Sequence, residues 1–256
     1  MFGNSNLGDP GDSMQEIDEK ANAESEGQAQ ASAKEAAAAP SATRRTRKRA
    51  FIEDQDANLE YAEYLESGVQ IGAMVKAPGM SKFIYKTRED GLHLLDVKTI
   101  AGRVQIAAKM LARYAPEDIV VTASRVYAMA PAKKFAEVTG TKAILGRVMP
   151  GIFTNPNRSD YMEPAMVLVS DPRNERQAIK EASKINMPVI ALADTDNWIK
   201  FVDLVVPCNN KGRHSLALIY YILAREFLKE KGRIRSNAEF KHKRSDFEAK
   251  IELKSK

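Results

Sequence analysis

The residues of this chain best suited to chemistry are acids that follow short apolar runs. Asp171 follows one such run and Asp194 follows the next. Two carboxylates at neighbouring strand ends can bind a divalent cation, which prefers oxygen ligands. Each also has a simpler explanation, because Asp171 precedes Pro172 as a helix cap does, and Asp194 can accept hydrogen bonds from turn amides at Thr195. We prefer the simpler explanation for both acids.

The other groups that take part in catalysis lack the neighbours that catalysis requires. None of the three histidines has metal-ligand spacing to another histidine, to the single cysteine or to a carboxylate. His93 lies inside an apolar strand, and Cys208 follows Pro207 where a small half-buried side chain is ordinary. No G-x-G-x-x-G follows a strand and no P-loop is present, so backbone amides are not arranged in advance for a phosphate. We therefore expect no catalytic residue, no metal and no cofactor.

Loops that combine amides with cations remain after these exclusions. They include Asn155 and the run from Asn209 to Arg213, NNKGR. Such side chains suit sugar and phosphate contacts better than bond cleavage. The same run also reads as an ordinary turn into a helix, with its cations in water. Chemistry alone does not separate these two interpretations.

Short continuous apolar runs alternate with helical patterns and indicate the elements that position these loops. Strands that are apolar on both faces are buried on both faces, which indicates a parallel sheet covered by helices. We therefore predict an α/β fold with a parallel-rich sheet and helices on both faces. The predicted buried strands are Ile119–Val121, Ala143–Leu145, Met166–Val169, Val189–Leu192 and Leu204–Val206.

The predicted helices are placed by their caps and by apolar residues at helical spacing. One follows Asp96, one is opened by Pro131, one is capped by Asp171, and one after Gly212 is apolar almost all round. The helix after Asp96 is predicted to bury Ile100, Val104, Ala107, Ala108 and Leu111 and to expose Lys98, Arg103, Lys109 and Arg113. The helix capped by Asp171 is predicted to bury Ala178, Ile179 and Ala182. Before these helices, we predict a helix that begins at Asn58 and ends at Gly68, followed by a short strand at Val69 and Ile71. Helical spacing follows at Met80, Phe83 and Ile84, and then a strand at Leu92, Leu94 and Leu95.

Charge is distributed unevenly along the chain. Residues 1–42 hold eight acids and two lysines, a net charge of −6, with an alanine tract, and we predict disorder there. A basic arm follows, with a net charge of +5, formed by Arg44, Arg45, Arg47, Lys48 and Arg49. The last helix is predicted to fray after Phe227 into a basic tail. The predicted organisation is a disordered extension and arm over 1–50, an α/β domain over 51–232 and a basic tail over 233–256.

Composition narrows the partners and the compartment. The net charge of +5 for the whole chain conceals a more basic folded part, which suggests a polyanion partner such as RNA, although a solvated basic surface is an equal alternative. One cysteine forms no internal disulfide, no apolar run approaches a membrane span, and the N-terminus does not look like a signal peptide. We therefore expect a cytoplasmic protein.

Five segments together resemble the small-subunit ribosomal protein family S2. Their order and spacing, over about residues 55–231, make the resemblance specific, and the short link after Asn157 is similar to the archaeal and eukaryotic type. Trp198, Ile199 and Lys200 depart from that family's small, hydroxyl-rich stretch. The five segments are HLLDVKT at His93–Thr99, ILGRVMPGIFTNPN at Ile144–Asn157, VSDPRNERQAIKEA at Val169–Ala182, ALADTDN at Ala191–Asn197 and VDLVVPCNNKGRHSLAL at Val202–Leu218.

The resemblance implies a flavodoxin-like or Rossmann-like three-layer domain without catalytic activity. It implies a structural constituent of the small ribosomal subunit that binds ribosomal RNA and neighbouring ribosomal proteins in assembly and translation. Replacing one phosphate-binding lysine such as Lys211 is expected to lower the salt dependence of RNA binding by about one unit. The RNA-contacting residues that we predict are the arm, Arg44, Arg45, Arg47, Lys48 and Arg49, together with Lys98, Arg103, Arg125, Arg147, Asn155, Arg158, Lys211 and Arg213.

Two functions from other classes remain open at this stage. A nucleotide-binding or small-molecule α/β enzyme would use the edge that holds Asp171 and Asp194, and would lose its ligand when Asp194 is replaced. A protein interaction module would act through Trp198 and the tails, and would form stable binary complexes without RNA.

Overall fold

A computed structural model of the chain describes residues 61–250, all within a unit that spans Glu60–Lys256. Its centre is a sheet of five parallel strands in the order β4-β3-β5-β6-β7. Because β3, β5 and β6 are buried along their whole lengths, the sheet carries the continuous apolar runs that the sequence shows. The strands are β3 Ile119–Ala123, β4 Lys142–Leu145, β5 Met166–Val169, β6 Val189–Ala193 and β7 Leu204–Pro207.

Helices cover both faces of this sheet, as predicted. The first helix and the last pack against each other on one face with α2, and α3 covers the other face beside the loop that follows β4. The face of α1 that the sequence predicted to be buried is buried at Ile100, Val104, Ala107, Ala108 and Leu111. The helices are α1 Val97–Ala112, α2 Val126–Thr139, α3 Arg176–Lys184 and α4 Arg213–Glu230.

The segment before α1 forms a strap across the carboxyl edge of the sheet. Residues 61–66 are helical, and Gly68 follows them with a φ of 68°. Ile71 makes only an isolated bridge to Leu94, and residues Pro78–Phe83 form a 3-10 helix, so Ile84 begins a strand and does not continue a helix. Strands β1 Ile84–Thr87 and β2 His93–Leu95 pair antiparallel in a separate small sheet. The predicted start at Asn58 lies outside the described residues.

Two predicted helix starts are wrong. Helix α2 begins at Val126, five residues before Pro131, because the Arg125 carbonyl already accepts the amides of Ala128 and Met129. Pro131 lies inside the helix, where its nitrogen has no hydrogen to donate to the Tyr127 carbonyl. Helix α3 begins at Arg176 and does not follow Asp171 directly.

The chain after α4 is packed, although its sequence lacks periodicity. Two 3-10 helices, Asn237–Glu239 and Arg244–Phe247, follow α4, and Phe240 and Phe247 are buried. Both rings lie edge-on to Tyr221 of α4, with centroids 5.3 and 5.9 Å away. The expected fraying is therefore wrong as far as residue 250, because widely spaced aromatics anchor the segment without a helical repeat. The division at 232/233 stays a prediction.

Candidate nucleic-acid interface

The strand order locates the point where a sheet of this kind binds ligands. From β3 the chain adds β4 at one side of β3, then returns to add β5, β6 and β7 on the other side. The direction in which strands are added therefore reverses between β3 and β5. Open α/β sheets with this 2-1-3-4-5 order hold ligands outside the carboxyl ends of the two strands at the reversal. In this chain Ser124 and Ser170 stand at those two ends.

A buried carboxylate of the chain itself fills that point. Glu175, 1% exposed, precedes α3 and accepts hydrogen bonds from the Thr122 hydroxyl at 2.5 Å and from the amides of Ser124 and Ser170 at 2.9 and 3.0 Å. Burial raises the pKa of Glu175 to about 7, although the hydrogen bonds from Thr122 and Ser124 oppose this rise. The amides that a bound phosphate would need therefore already have an acceptor.

Asp171, the first of the two candidate acids, lies beside Glu175 and forms an ion pair with Arg125. Its side chain is fully buried, and Arg125 donates to its Oδ2 at 2.5 Å. Oδ1 accepts hydrogen bonds from the Arg173 amide and from Asn197 Nδ2, both at 3.0 Å. Asp171 thus closes a turn ahead of α3 and does not cap that helix. Arg125, which we predicted to contact RNA, is committed to this carboxylate.

Asp194, the second candidate acid, is held by Lys211. The Lys211 ammonium lies 2.9 Å from Asp194 Oδ2 and 2.9 Å from Asp196 Oδ2. Burial raises the pKa of Asp194, and the bond from Lys211 limits that rise. Burial alone would lower the pKa of Lys211, but the two carboxylates outweigh it and raise that pKa. The predicted bond from the Thr195 amide to Asp194 is confirmed at 2.6 Å.

The NNKGR loop fastens the strap to the sheet. Asn209 Oδ1 accepts the amides of Lys211 and Gly212, both at 3.0 Å, and the Asn209 amide donates to the Val69 carbonyl at 2.9 Å. Asn210 is buried and donates to the Leu192 carbonyl at 3.1 Å and to Asn197 Oδ1 at 3.2 Å. The interpretation as a helix-leading turn is therefore correct for the local geometry of this loop.

The outer face of α1 carries four of the cations that the sequence places there. Lys98 is exposed in the first turn, where Asp96 caps the helix by accepting the Lys98 and Thr99 amides at 3.2 Å. Arg103 is half-buried, with its guanidinium 5.3 Å from the centre of the Phe83 ring. The two further cations, Lys109 and Arg113, are exposed near the end of α1.

The loop after β4 holds three more predicted residues on the side of the sheet that α3 covers. Glu181 of α3 organises this loop by accepting the amides of Gly151 and Phe153 at 2.7 and 3.1 Å. Burial alone would raise the pKa of Glu181, but hydrogen bonds from Gln177 of α3 and from the loop outweigh burial and lower that pKa. Arg147 and Asn155 are exposed, and the half-buried Arg158 pairs with Asp160.

The structure thus does not bring the predicted RNA contacts into one site. Lys98 and Arg103 lie on one face of the sheet, and the loop after β4 lies beside α3 on the other. Arg125 and Lys211 share a network through Asn197, and Arg213 at the start of α4 lies 3.7 Å from Glu248. The basic arm, from Arg44 to Arg49, lies outside the described residues.

Three organising side chains, Glu175, Glu181 and Asn197, were not identified from the sequence. Glu181 carried a usable signal, since it lies between Ala178 and Ala182 on the face predicted to be buried. Glu175 and Asn197 carried none, because the partners that they join to the sheet edge, Thr122 and Ser124 for Glu175 and Asp171 and Asn210 for Asn197, are distant in sequence. Among residues 61–250 there is no group of three histidine, cysteine or acidic residues that could hold a metal ion, and no helix with the length and apolarity to span a membrane.

Comparison with known proteins gives one consistent family. The model of the family described as ribosomal protein S2 matches residues 157–229. The protein named small ribosomal subunit protein uS2 in Thermoplasma acidophilum is 51% identical over 198 residues, which are 77% of this chain and 100% of that relative. Its namesakes in Thermoplasma volcanium and Saccharolobus solfataricus are 53% identical over 198 residues and 48% identical over 208 residues.

The covered lengths are as informative as the identities. The match spans 77% of this chain and 100% of the Thermoplasma volcanium protein, and 81% of this chain and 89% of the Saccharolobus solfataricus protein. A shared fold is expected along the whole of the matched segment at such identities. The resemblance found in the sequence is therefore confirmed, and this chain belongs to the ribosomal protein S2 family.

Proposed function

We propose that this chain is a structural, non-enzymatic constituent of the small ribosomal subunit in the cytoplasm, where it binds ribosomal RNA and neighbouring ribosomal proteins. The observation that carries the proposal is the 51% identity along the full length of a relative named small ribosomal subunit protein uS2. The five segments that carry the family resemblance lie between His93 and Leu218.

The geometry of the carboxyl edge supports a binding role over an enzymatic one. Glu175 occupies the point where a flavodoxin-like sheet would hold a phosphate. Asp171 and Asp194, the acids on which the enzyme alternative depends, are paired with Arg125 and Lys211. A metal or nucleotide would have to displace these internal partners.

We propose that RNA is contacted mainly by cations that the fold leaves in solvent. Within the described residues these are Lys98 and Arg103 on α1 and Arg147 in the loop after β4. We propose two further contacts, the exposed amide Asn155 of the same loop and the basic arm from Arg44 to Arg49, which lies outside the described residues. Arg158 and Arg213 are further candidates, because their ion pairs with Asp160 and Glu248 lie at the surface, where such pairs contribute little. Arg125 and Lys211 were also predicted to contact RNA, but we propose no phosphate contact for them, because Asp171, Asp194 and Asp196 already pair with their charges.

Sedimentation of the tagged full-length chain tests the proposal. Lysate is run through a sucrose gradient at low salt and again after a moderate salt wash. We expect the chain to travel with the small subunit under both conditions. Recovery as free protein at the top of both gradients would contradict the proposal, and ligand binding at Asp171 and Asp194 would then be the function to test.

A further inference from the structure

A groove that the carboxyl-edge network does not use lies between α3 and the loop before β7. We call it the Trp198 groove. It has a volume of about 680 Å³, and its apolar walls are formed by Val75 of the strap, Pro172, Ile179, Trp198 and Phe201. It lies outside the α1 surface and the β4 loop to which we assign RNA contacts.

Three of the five apolar residues of the groove are open to solvent, whereas Pro172 and Ile179 are buried. Trp198 is 71% exposed, Val75 is 66% exposed and Phe201 is 55% exposed. Phe201 also has a φ of 64°, in the left-handed region that is uncommon for residues other than glycine. A contiguous apolar patch with a strained aromatic at its edge is typical of an interaction site.

Cations surround this apolar surface. Arg173, Arg176, Lys180 and Lys200 all line the groove, and its single acid, Asp196, already pairs with Lys211 and Arg173. Within residues 61–250, Arg176, Lys180 and Lys200 have no ion-pair partner; Lys200 lies with its ammonium 5.0 Å from the centre of the Phe201 ring. The groove therefore has positive charge without a counter-charge of its own.

We propose that the Trp198 groove docks a peptide segment of a neighbouring protein whose apolar side chains are flanked by carboxylates. Carboxylates complement the free cations, and apolar side chains complement Val75, Pro172 and Ile179. The Lys200 ammonium lies over the Phe201 ring, so Trp198 alone offers a nucleobase an open aromatic face. The three aliphatic residues instead favour apolar side chains, so a peptide fits the groove better than RNA. This inference deepens the proposed function, on which it rests for the presence of an adjacent protein.

Trp198 itself reports on the groove, because it is the only tryptophan of the chain. The purified full-length chain is titrated with a tryptophan-free peptide of leucine, phenylalanine and glutamate, with its twin carrying lysine for glutamate, and with a single-stranded RNA oligonucleotide. We expect a blue shift of tryptophan emission and protection from acrylamide quenching with the glutamate peptide alone. The proposal would be overturned by equal protection with the lysine peptide or with RNA. It would also be overturned by protection that rises with protein concentration alone, or by no protection with any probe.

Two charge-reversal variants separate this proposal from the RNA-binding one. Arg176→Glu with Lys180→Glu reverses two cations on α3, and Lys98→Glu with Arg103→Glu reverses the two cations of α1 to which we assign RNA contacts. We expect the α3 variant to bind the glutamate peptide at least about tenfold more weakly and to keep its affinity for small-subunit RNA. The α1 variant should show the reverse pattern. Equal peptide affinity in both variants would overturn the groove proposal, whereas unchanged RNA affinity of the α1 variant would count against the RNA surface alone.

A photo-crosslinking amino acid at position 198 identifies the occupant in assembled small subunits. The same amino acid at Tyr85, an aromatic that is 77% exposed on β1, serves as the control. We expect a crosslink from position 198, absent from position 85, to a protein segment in which acidic and apolar residues alternate. A crosslink to RNA, to a basic segment or to nothing would overturn the proposal.

Discussion

Lys211 shows that a basic residue in a polar loop need not be available to RNA. Its ammonium lies between Asp194 and Asp196, and Asp194 is 2% exposed. A cation that already has two carboxylate partners releases few counterions when a phosphate approaches. Lys98, in contrast, is exposed on α1 and has no ion pair within residues 61–250.

The two lysines are therefore expected to differ when each is replaced by alanine. Lys98→Ala should lower the slope of log affinity against log salt by about 0.9 without affecting stability. Lys211→Ala should leave the slope unchanged and lower the free energy of unfolding by about 2 kcal/mol, because the buried Asp194 carboxylate loses a hydrogen-bond donor. Filter binding at several salt concentrations and urea denaturation measure the two effects. A reduced slope for Lys211→Ala would restore it as a phosphate contact.

Glu175 predicts an unusual pH dependence of stability. Its folded-state pKa of about 7 lies above its ordinary value of 4.5, so the folded state binds more protons between these values. Stability from this group is full below pH 4.5 and is lost as the pH rises through 7, by about 3 kcal/mol. Urea denaturation at pH 5, 6, 7 and 8 should show this decline, and Glu175→Gln should remove most of it. The same slope in both proteins would show that Glu175 ionises normally.

At the scale of elements, the strap depends on a close approach that only glycine permits. A Cβ at Gly72 would lie 2.8 Å from the His93 carbonyl oxygen and 2.6 Å from Thr195 Cγ2. Gly72→Ala should therefore lower the free energy of unfolding by about 2 kcal/mol. Gly102→Ala is the matched control, since nothing lies within 4 Å of its Cβ position on α1, and it should raise stability by about 1 kcal/mol. Thermal denaturation of the two variants measures the difference. Equal stabilities would show that the strap moves to accommodate a Cβ at position 72.

The five strands and the buried face of α1 could be predicted because each depends on a local apolar pattern. The start of α2 could not, because no side chain caps the helix at Arg125. The start of α3 could not, because it depends on partners distant in sequence. Glu175 is bound by Thr122 and Ser124, more than 50 residues earlier, which leaves Asp171 to close a turn. The packing of Phe240 and Phe247 on Tyr221 was missed for the same reason. In the candidate site, the residue types indicated a binding role. They did not indicate which cations remain unpaired, because that depends on ion pairs between residues distant in sequence.

At the scale of the whole molecule, the proposed binding surfaces surround a sheet edge whose strand reversal is occupied by Glu175 of the chain itself. Other proteins with this strand order hold a ligand at the strand reversal. In this chain the Glu175 carboxylate occupies that point. Glu175 is covalently part of the chain, so it acts as a ligand at a high effective concentration that dilution does not reduce. A protein whose folded state needs a free metabolite gains stability only while that metabolite is abundant. By mass action, the stability of this domain should therefore be independent of the nucleotide level of the cell in which it folds.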